Sequence, residues 1–139
     1  MCGRFALGIP KKNLAEWLEA DLPDYTPRHN IPPGTDVLAV TSNSRGRRLG
    51  SFFRWGFLPV WADPGQSRRP INARAEGLFD KPFFRQAARS RRCLVPAQGF
   101  FEWKREDGGK RPFYLTGQGD GPLALAGIWE AARDGEPAC

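Results

Sequence analysis

The chain opens with Met1-Cys2-Gly3-Arg4-Phe5, and the cysteine at position two is the first candidate for covalent chemistry. Methionine is normally removed when the second residue is small, which would leave Cys2 with a free α-amine beside its own thiol. Both groups have ordinary pKa values of about 8 to 8.5, so a fraction of each is nucleophilic near neutral pH. An internal cysteine cannot offer this 1,2-aminothiol, although a cysteine at position two can also be inert.

A second candidate segment is Ile71-Asn72-Ala73-Arg74-Ala75-Glu76. In an extended backbone Asn72, Arg74 and Glu76 would share one face, because alternate side chains of a strand point the same way. The amide of Asn72 could orient a nucleophile, and the guanidinium of Arg74 could bind a phosphate in a two-pronged contact. A half-buried strand with a solvated polar side would have the same pattern, so spacing alone leaves both interpretations open.

The third candidate is Glu102, which lies among aromatic residues in Phe100-Phe101-Glu102-Trp103-Lys104. A carboxylate that aromatic side chains shield from water holds its proton more readily, and this suits a general acid or base. The alternative is a carboxylate at the surface, paired with Lys104, Arg105 or Arg111. The sequence fits both environments.

Charge and aromatic content favour a polyanionic partner. The 139 residues include 21 Lys and Arg against 15 Asp and Glu, a net charge of +6, which favours nucleic acid over a membrane. Aromatic residues interleaved with arginines could stack on bases or could form the core. Trp61 ends an aromatic, turn-rich segment before a polar loop and is the best candidate for exposure among these: Trp55, Phe57, Trp61, Phe83 and Phe84.

The cysteines and the single histidine predict no metal site and no cofactor. Cys2, Cys93, Cys139 and His29 are far apart and match no zinc-ligand spacing. A disulfide between Cys93 and Cys139 stays open, and His29 is predicted to lie in a turn and not to act as a base. No apolar run reaches the roughly 20 residues that cross a bilayer, and the N-terminus has no signal-peptide pattern. We therefore expect a soluble cytoplasmic protein with no membrane partner.

Hydrophobic periodicity and turn residues predict an α+β fold with a mainly antiparallel, barrel-like β-sheet and short flanking helices. A short amphipathic helix is expected after Pro10, with Leu14, Trp17 and Leu18 on its apolar face. A second helix is expected over residues 81–89, with Phe79, a phenylalanine at 83 or 84, and Ala87 toward the core. Strands are predicted at residues 3–7, 37–41, 49–55, 93–96, 100–105, 111–116 and 123–129. Strands 37–41 and 49–55 are expected to form one hairpin, and strands 100–105 and 111–116 a second one that turns at residues 106–109.

Six motifs, in this order, resemble those of the SRAP family, the SOS-response-associated peptidases or abasic-site processing proteins. They cover nearly the whole sequence, and their joint occurrence is far more specific than any one of them. The motifs are Met1-Cys2-Gly3-Arg4-Phe5, His29-Asn30-Ile31-Pro32-Pro33-Gly34, Trp55-Gly56-Phe57-Leu58-Pro59, Ile71-Asn72-Ala73-Arg74-Ala75-Glu76, Arg92-Cys93-Leu94-Val95-Pro96 and Gly99-Phe100-Phe101-Glu102-Trp103-Lys104.

The resemblance implies that mature Cys2 links covalently to an abasic site in single-stranded DNA as a thiazolidine. It also implies that Asn72 positions Cys2 and that Glu102 shuttles protons. Arg4 and Arg74 would hold backbone phosphates near the lesion. Trp61 and the loop from Asn30 to Gly34, which includes Pro33, would stack against the bases of a bent DNA strand or wedge them apart.

The family also carries a downstream His-x-Arg-Met-Pro-like motif that this sequence lacks. We therefore expect one SRAP domain over residues 1–139, truncated at its C-terminus, that is monomeric and associates with the nucleoid when bound to DNA. Two alternatives stay open. One is a cysteine-type autopeptidase of the SOS response, with Asn72 and Glu102 as partners of Cys2, and the other is a non-covalent binder of single-stranded DNA.

Overall fold

The computed structural model describes residues 2–131 and 135–139 of the chain. Over these residues the chain forms eleven strands, two α-helices and one short 3-10 helix at Gln118–Asp120. The α-helices and strands, in chain order, are β1 (Phe5–Leu7), α1 (Lys11–Leu18), β2 (Ala20–Asp21), β3 (Arg28–Ile31), β4 (Asp36–Ser42), β5 (Arg48–Arg54), α2 (Arg85–Ser90), β6 (Arg92–Ala97), β7 (Gly99–Glu106), β8 (Gly109–Thr116), β9 (Leu123–Ile128), β10 (Glu130–Ala131) and β11 (Pro137–Ala138).

Two sheets form a curled half-barrel, which confirms the predicted α+β class with mainly antiparallel pairing. In the described part of the chain, one sheet has the order β3-β1-β7-β8. The other has the order β10-β11-β5-β4-β6-β9, with β2 beside β5. Parallel pairing occurs where β2 and β11 meet β5.

The core lies between the sheets. All three residues of β1 are buried, as are four consecutive residues of β4, Val37–Val40. A strand buried on both faces needs an unbroken apolar run, and the β-branched stretch in β4 supplies one. Phe5 and Trp55 meet edge to face with ring centroids 5.3 Å apart, and this contact fixes the N-terminal strand against the chain that follows β5.

The predicted hairpins are confirmed. β4 and β5 pair over seven consecutive positions, and β7 and β8 pair from Gly99 with Thr116 to Glu106 with Gly109. The β7–β8 turn falls at Asp107 and Gly108, where φ of Gly108 is 102°. Gly99 is required for a different reason, because a Cβ there would lie 2.6 Å from the ring of Tyr114.

The predicted α1 is present, but only part of its expected apolar face is buried. Leu14 and Leu18 pack into the core, whereas Trp17 is 45% exposed. The helix has eight residues and contacts the sheet along one narrow stripe, so a residue one turn from Leu14 can still face solvent. Glu19 ends the helix in the left-handed conformation with φ of 50°.

Four sequence-based expectations need correction. His29 lies within β3 and not in a turn. The second helix begins at Arg85, later than residue 81, because the residue before Pro82 is disfavoured in helical geometry. Phe79, expected on its apolar face, is 50% exposed. Residues 71–76 form no strand.

Candidate active site around Cys2

The sheet brings the N-terminal segment beside β7. Phe5 pairs with Phe100, and the amide of Phe101 donates a 2.8 Å hydrogen bond to the carbonyl oxygen of Arg4. The Cys2 thiol donates to the same carbonyl at 3.4 Å and is partly buried against the core. Cys2 is therefore held at the end of a paired segment.

Asn72 lies on a loop that places its side chain beside Cys2. Hydrogen bonds from one side chain and one backbone amide hold this loop in place. The indole N–H of Trp55 donates to the carbonyl of Ile71 at 2.8 Å, and the amide of Phe57 donates to the carbonyl of Pro70 at 2.9 Å. The side-chain amide of Asn72 then donates to the carbonyl of Cys2 at 2.7 Å. These hydrogen bonds hold the loop in place without the backbone pairing of a β-strand.

Glu102 lies on β7, half-buried, and acts electrostatically on Cys2. Burial is the largest effect on the Cys2 thiol and raises its pKa; the hydrogen bond to the carbonyl of Arg4 opposes this, and the negative charge of Glu102, a smaller effect, raises the pKa. The thiol is therefore mainly protonated at neutral pH. Cys2, Asn72 and Glu102 form one cluster.

The cluster borders a cavity of about 460 Å³ with largely apolar walls. Cys2 and Asn72 line it together with Phe5, Trp55 and Leu125, whereas Glu102 is not among its lining residues. Apolar surroundings lower the local dielectric constant, so charges and hydrogen bonds beside them act more strongly than they would in water.

Cys93 and Cys139 line the same cavity, and both are free thiols. Their hydrogen bond to each other, together with burial, raises the pKa of Cys93 well above its ordinary range. The disulfide that the sequence left open is not formed. Cys93 is thus a buried, protonated thiol of low nucleophilicity.

Arg4 and Asn30 are joined by a 2.9 Å hydrogen bond from the guanidinium to the side-chain oxygen. This contact ties the N-terminal motif to β3. Pro33 follows in a turn that is fixed by the amide of Gly34, which donates to the carbonyl of Trp55 at 2.8 Å. Gly34 has φ of 77°, which favours glycine at this position.

Trp61 and Arg74, two further residues predicted to bind DNA, lie at the surface. Trp61 is 60% exposed and touches the ring of Phe83 edge to face at 5.8 Å. Arg74 is exposed. In the described residues, no hydrogen bond or ring contact joins either side chain to Cys2. By contrast, Trp55 and Phe57 are buried, so they belong to the core and not to a stacking groove.

Within residues 2–131 and 135–139, no cluster of three or more His, Cys, Asp or Glu has the arrangement to hold a metal ion. No helix in this part of the chain combines the length and apolar character that crossing a membrane requires.

The sequence profile described as "SOS response associated peptidase (SRAP)" matches residues 1–139. The chain belongs to the SRAP family. It is 39% identical over 136 residues to the Abasic site processing protein YoqW of Bacillus subtilis, covering 94% of this chain and 60% of that protein. It is 35% identical over 136 residues to the Abasic site processing protein YedK of Escherichia coli, covering 92% of this chain and 59% of that protein.

Solved structures share the SRAP fold. A Bacteroides thetaiotaomicron protein superposes with a TM-score of 0.84 at 24% identity, covering 99% of this chain and 65% of that one. A phage-related protein of Bordetella bronchiseptica has a TM-score of 0.77 at 32% identity, covering 99% of this chain and 67% of that one. The chain spans about 60% of the length of the two curated SRAP relatives.

Sequence reasoning missed two features of this SRAP site. The first is the indole of Trp55 as the support of the Asn72 loop, for which the sequence carries no signal because the contact is between distant residues. The second is that Lys104, Arg111 and Phe113 share a face with Glu102. The predicted hairpin contained that signal, because its short turn fixes which residues face each other across the strands.

Proposed function

We propose that this protein, once Met1 is removed, forms a covalent crosslink with abasic sites in single-stranded DNA through Cys2. The observation that carries the proposal is the 2.7 Å hydrogen bond from Asn72 to the carbonyl of Cys2, beside a thiol on which Glu102 acts. The names of the SRAP relatives, abasic site processing proteins, support the same substrate.

The reaction is a condensation without redox change. The α-amine of Cys2 adds to the aldehyde of the ring-opened abasic sugar, and loss of one water leaves an imine. The thiol sulfur then bonds to the imine carbon, the C=N bond becomes single, and the thiol proton ends on nitrogen. The product is a five-membered thiazolidine, and one water is released overall.

The chemistry of the product gives the order of these steps. The amine condenses first, because the thiol closes the five-membered ring by adding to the carbon of the imine. Glu102 is near enough to act on that thiol, and it serves as the proton carrier for sugar opening, dehydration and closure. Asn72 holds the Cys2 backbone so that both nucleophiles face the aldehyde.

DNA would approach across the basic and aromatic residues around Cys2. Arg4 is oriented by Asn30, and Arg74 is exposed, so both can meet phosphates. Trp61 offers an exposed ring to a neighbouring base, which favours a single strand over a stacked duplex. The loop that holds Pro33 would lie along the bent strand.

The test is a denaturing gel of the protein mixed with an abasic single-stranded oligonucleotide. We expect a heat-stable adduct for the unmutated protein and for Cys139→Ser, a control that keeps a hydrogen-bonding group. Cys2→Ala and Cys2→Ser keep the amine but lack the thiol, so they should give an adduct only when borohydride reduces the imine. A heat-stable adduct of Cys2→Ala without reductant would overturn the proposal.

The geometry gives less support to an autopeptidase. Cleavage before Cys2 requires a donor at the carbonyl of the bond that is cut. The amide of Asn72 instead binds the carbonyl of Cys2 itself, which belongs to the following peptide bond. Peptide mapping tests this alternative: retention of Met1 in Cys2→Ser, with its removal from the unmutated protein, would favour self-cleavage.

A further inference from the structure

The cavity beside Cys2 has a composition that abasic DNA does not explain. Its volume of about 460 Å³ falls within the range of small-molecule sites. Of the described residues that line it, Arg92 alone carries a charged side chain. An abasic sugar has a phosphate on each side, and burying an anion without a partner is strongly unfavourable. The phosphates of abasic DNA would therefore stay outside this cavity while the sugar reacts at Cys2.

The walls of the cavity are mainly aliphatic and aromatic. Phe5 and Trp55 are buried, their rings meet edge to face, and both residues line the cavity. Leu125 and Ile128 of β9 are half-buried and line it as well. Contact with such side chains removes an apolar ligand from water, and each buried CH₂ group strengthens binding about fourfold. The cavity therefore suits the hydrocarbon chain of a small molecule.

Cys2 determines which functional group such a molecule must carry. Once Met1 is removed, the amine and the thiol of Cys2 can both bond to the carbon of one aldehyde. Cys93 and Cys139 also line the cavity, but neither has this free amine. Asn72, whose side chain holds the Cys2 carbonyl at 2.7 Å, is another lining residue. A molecule with an aldehyde at one end and a hydrocarbon chain at the other would match both parts of the site.

We propose that Cys2 also captures apolar aldehydes, with the aldehyde carbon at Cys2 and the hydrocarbon chain in the cavity. The cavity has room for about fifteen groups of the size of a water molecule, so a chain of about eight carbons fits. The amine adds to the aldehyde, and loss of one water leaves an imine. The thiol sulfur then bonds to the imine carbon, and the thiol proton ends on nitrogen. The product is a thiazolidine, and no oxidant or reductant is needed. This activity goes beyond the proposed function and shares with it only the two nucleophiles of Cys2.

The experiment compares octanal with propanal as reagents for the protein without Met1. Intact mass follows each reaction, because a thiazolidine adds the mass of the aldehyde less one water. Each rate is divided by that of a synthetic peptide of residues 2–5, which has the same aminothiol but no cavity. Octanal has five more CH₂ groups than propanal, and burial of only two of them would favour octanal about fifteenfold. We therefore expect the normalised rate of octanal to exceed that of propanal at least about tenfold.

Leu125→Trp fills part of the cavity, so it should slow the octanal reaction about fivefold and leave the propanal reaction unchanged. The matched control is Leu123→Trp, because Leu123 is a half-buried leucine on the same face of β9 that does not line the cavity. The propanal rate also shows whether each variant keeps a reactive Cys2. An equal loss of the octanal rate in both variants would contradict binding of the chain in this cavity.

Equal normalised rates for octanal and propanal in the unmutated protein would overturn the proposal without recourse to any variant. Peptide mapping that finds the octanal on lysines and not on Cys2 would also overturn it. An abasic oligonucleotide separates this proposal from the crosslinking. A DNA adduct without preference for octanal would refute the capture of apolar aldehydes alone, whereas preferred octanal adducts in a protein that forms no DNA adduct would support that capture and refute the crosslinking.

Discussion

The side-chain amide of Asn72 donates a 2.7 Å hydrogen bond to the carbonyl oxygen of Cys2, 70 residues earlier in the chain. The bond fixes the backbone of Cys2 and does not involve its amine or its thiol, the two groups that would react with the same carbon. A catalytic contribution of this kind comes from orientation, so it should be measurable without a change in the chemistry of the nucleophile.

Asn72→Ala should slow adduct formation about fivefold, because losing one hydrogen bond of about 1 kcal/mol leaves Cys2 less well oriented. Single-turnover kinetics on a denaturing gel measure this rate. Asn13→Ala, an exposed helix position, is the control. An unchanged rate in Asn72→Ala would show that the bond has no part in the reaction.

Trp55→Phe should lower the free energy of unfolding by about 1 kcal/mol and slow adduct formation as well. The ring contact with Phe5 can persist, but the indole N–H that holds the carbonyl of Ile71 is lost. Urea unfolding gives the stability. Trp17→Phe is a matched control, since Trp17 is half exposed on α1. Equal effects of both substitutions would contradict this role of the indole.

Glu102→Gln should move two measurements in opposite directions. The pKa of the Cys2 thiol should fall, because the negative charge that raises it is gone, and alkylation of Cys2 by iodoacetamide at pH 8 should become faster. Adduct formation should become slower, by about two orders of magnitude, because the proton carrier is lost. Peptide mapping resolves Cys2 from the other cysteines. If alkylation of Cys2 and adduct formation both became faster, Glu102 would not be the proton carrier.

The pH dependence of alkylation follows from the same shift. The folded protein raises the pKa of the Cys2 thiol above its ordinary value, so the thiolate fraction is smaller than in a short peptide at every pH below that raised pKa. Cys2 should therefore react more slowly than the peptide at pH 8, and its rate should level off at a higher pH. A plateau at lower pH than that of the peptide would show that the fold lowers the pKa of the Cys2 thiol.

Glu130→Gln should destabilise the fold by about 2 kcal/mol. The Glu130 carboxylate is buried and accepts a 2.8 Å hydrogen bond from Arg91, whose charge would be left without its partner. Glu16→Gln on exposed α1 should change the unfolding free energy by less than about 0.5 kcal/mol. Similar urea midpoints for both variants would show that the buried pair contributes little.

Local pattern predicted much of the fold. The runs around Val37 and Leu123 and the Asp107-Gly108 turn carry their structure in a few neighbouring residues, so the hairpins and strands were found. The loop of Asn72 could not be predicted this way. Its geometry depends on the indole of Trp55 and the amide of Phe57, and neither contact leaves a local signal.

The candidate site divides in the same way. The residue types of Cys2, Asn72 and Glu102 indicated possible catalytic roles. Their spacing in the sequence could not predict that they share one site; the resemblance of the motifs to SRAP proteins did. Exposure was the least predictable property. Trp17 and Trp55 are both tryptophans in apolar surroundings, yet one is 45% exposed and the other 8%, because only tertiary packing decides which face is covered.

In the proposed reaction Cys2 itself carries the bond to DNA. Mass spectrometry of the adduct, after digestion with protease and nuclease, tests this at the level of the residue. We expect the N-terminal peptide that starts at Cys2 to carry the abasic sugar, with a mass one water below the sum of the two parts and no gain of hydrogen on borohydride treatment. A sugar on a lysine, or on Cys93 or Cys139, would show that Cys2 is not the residue that bonds to DNA.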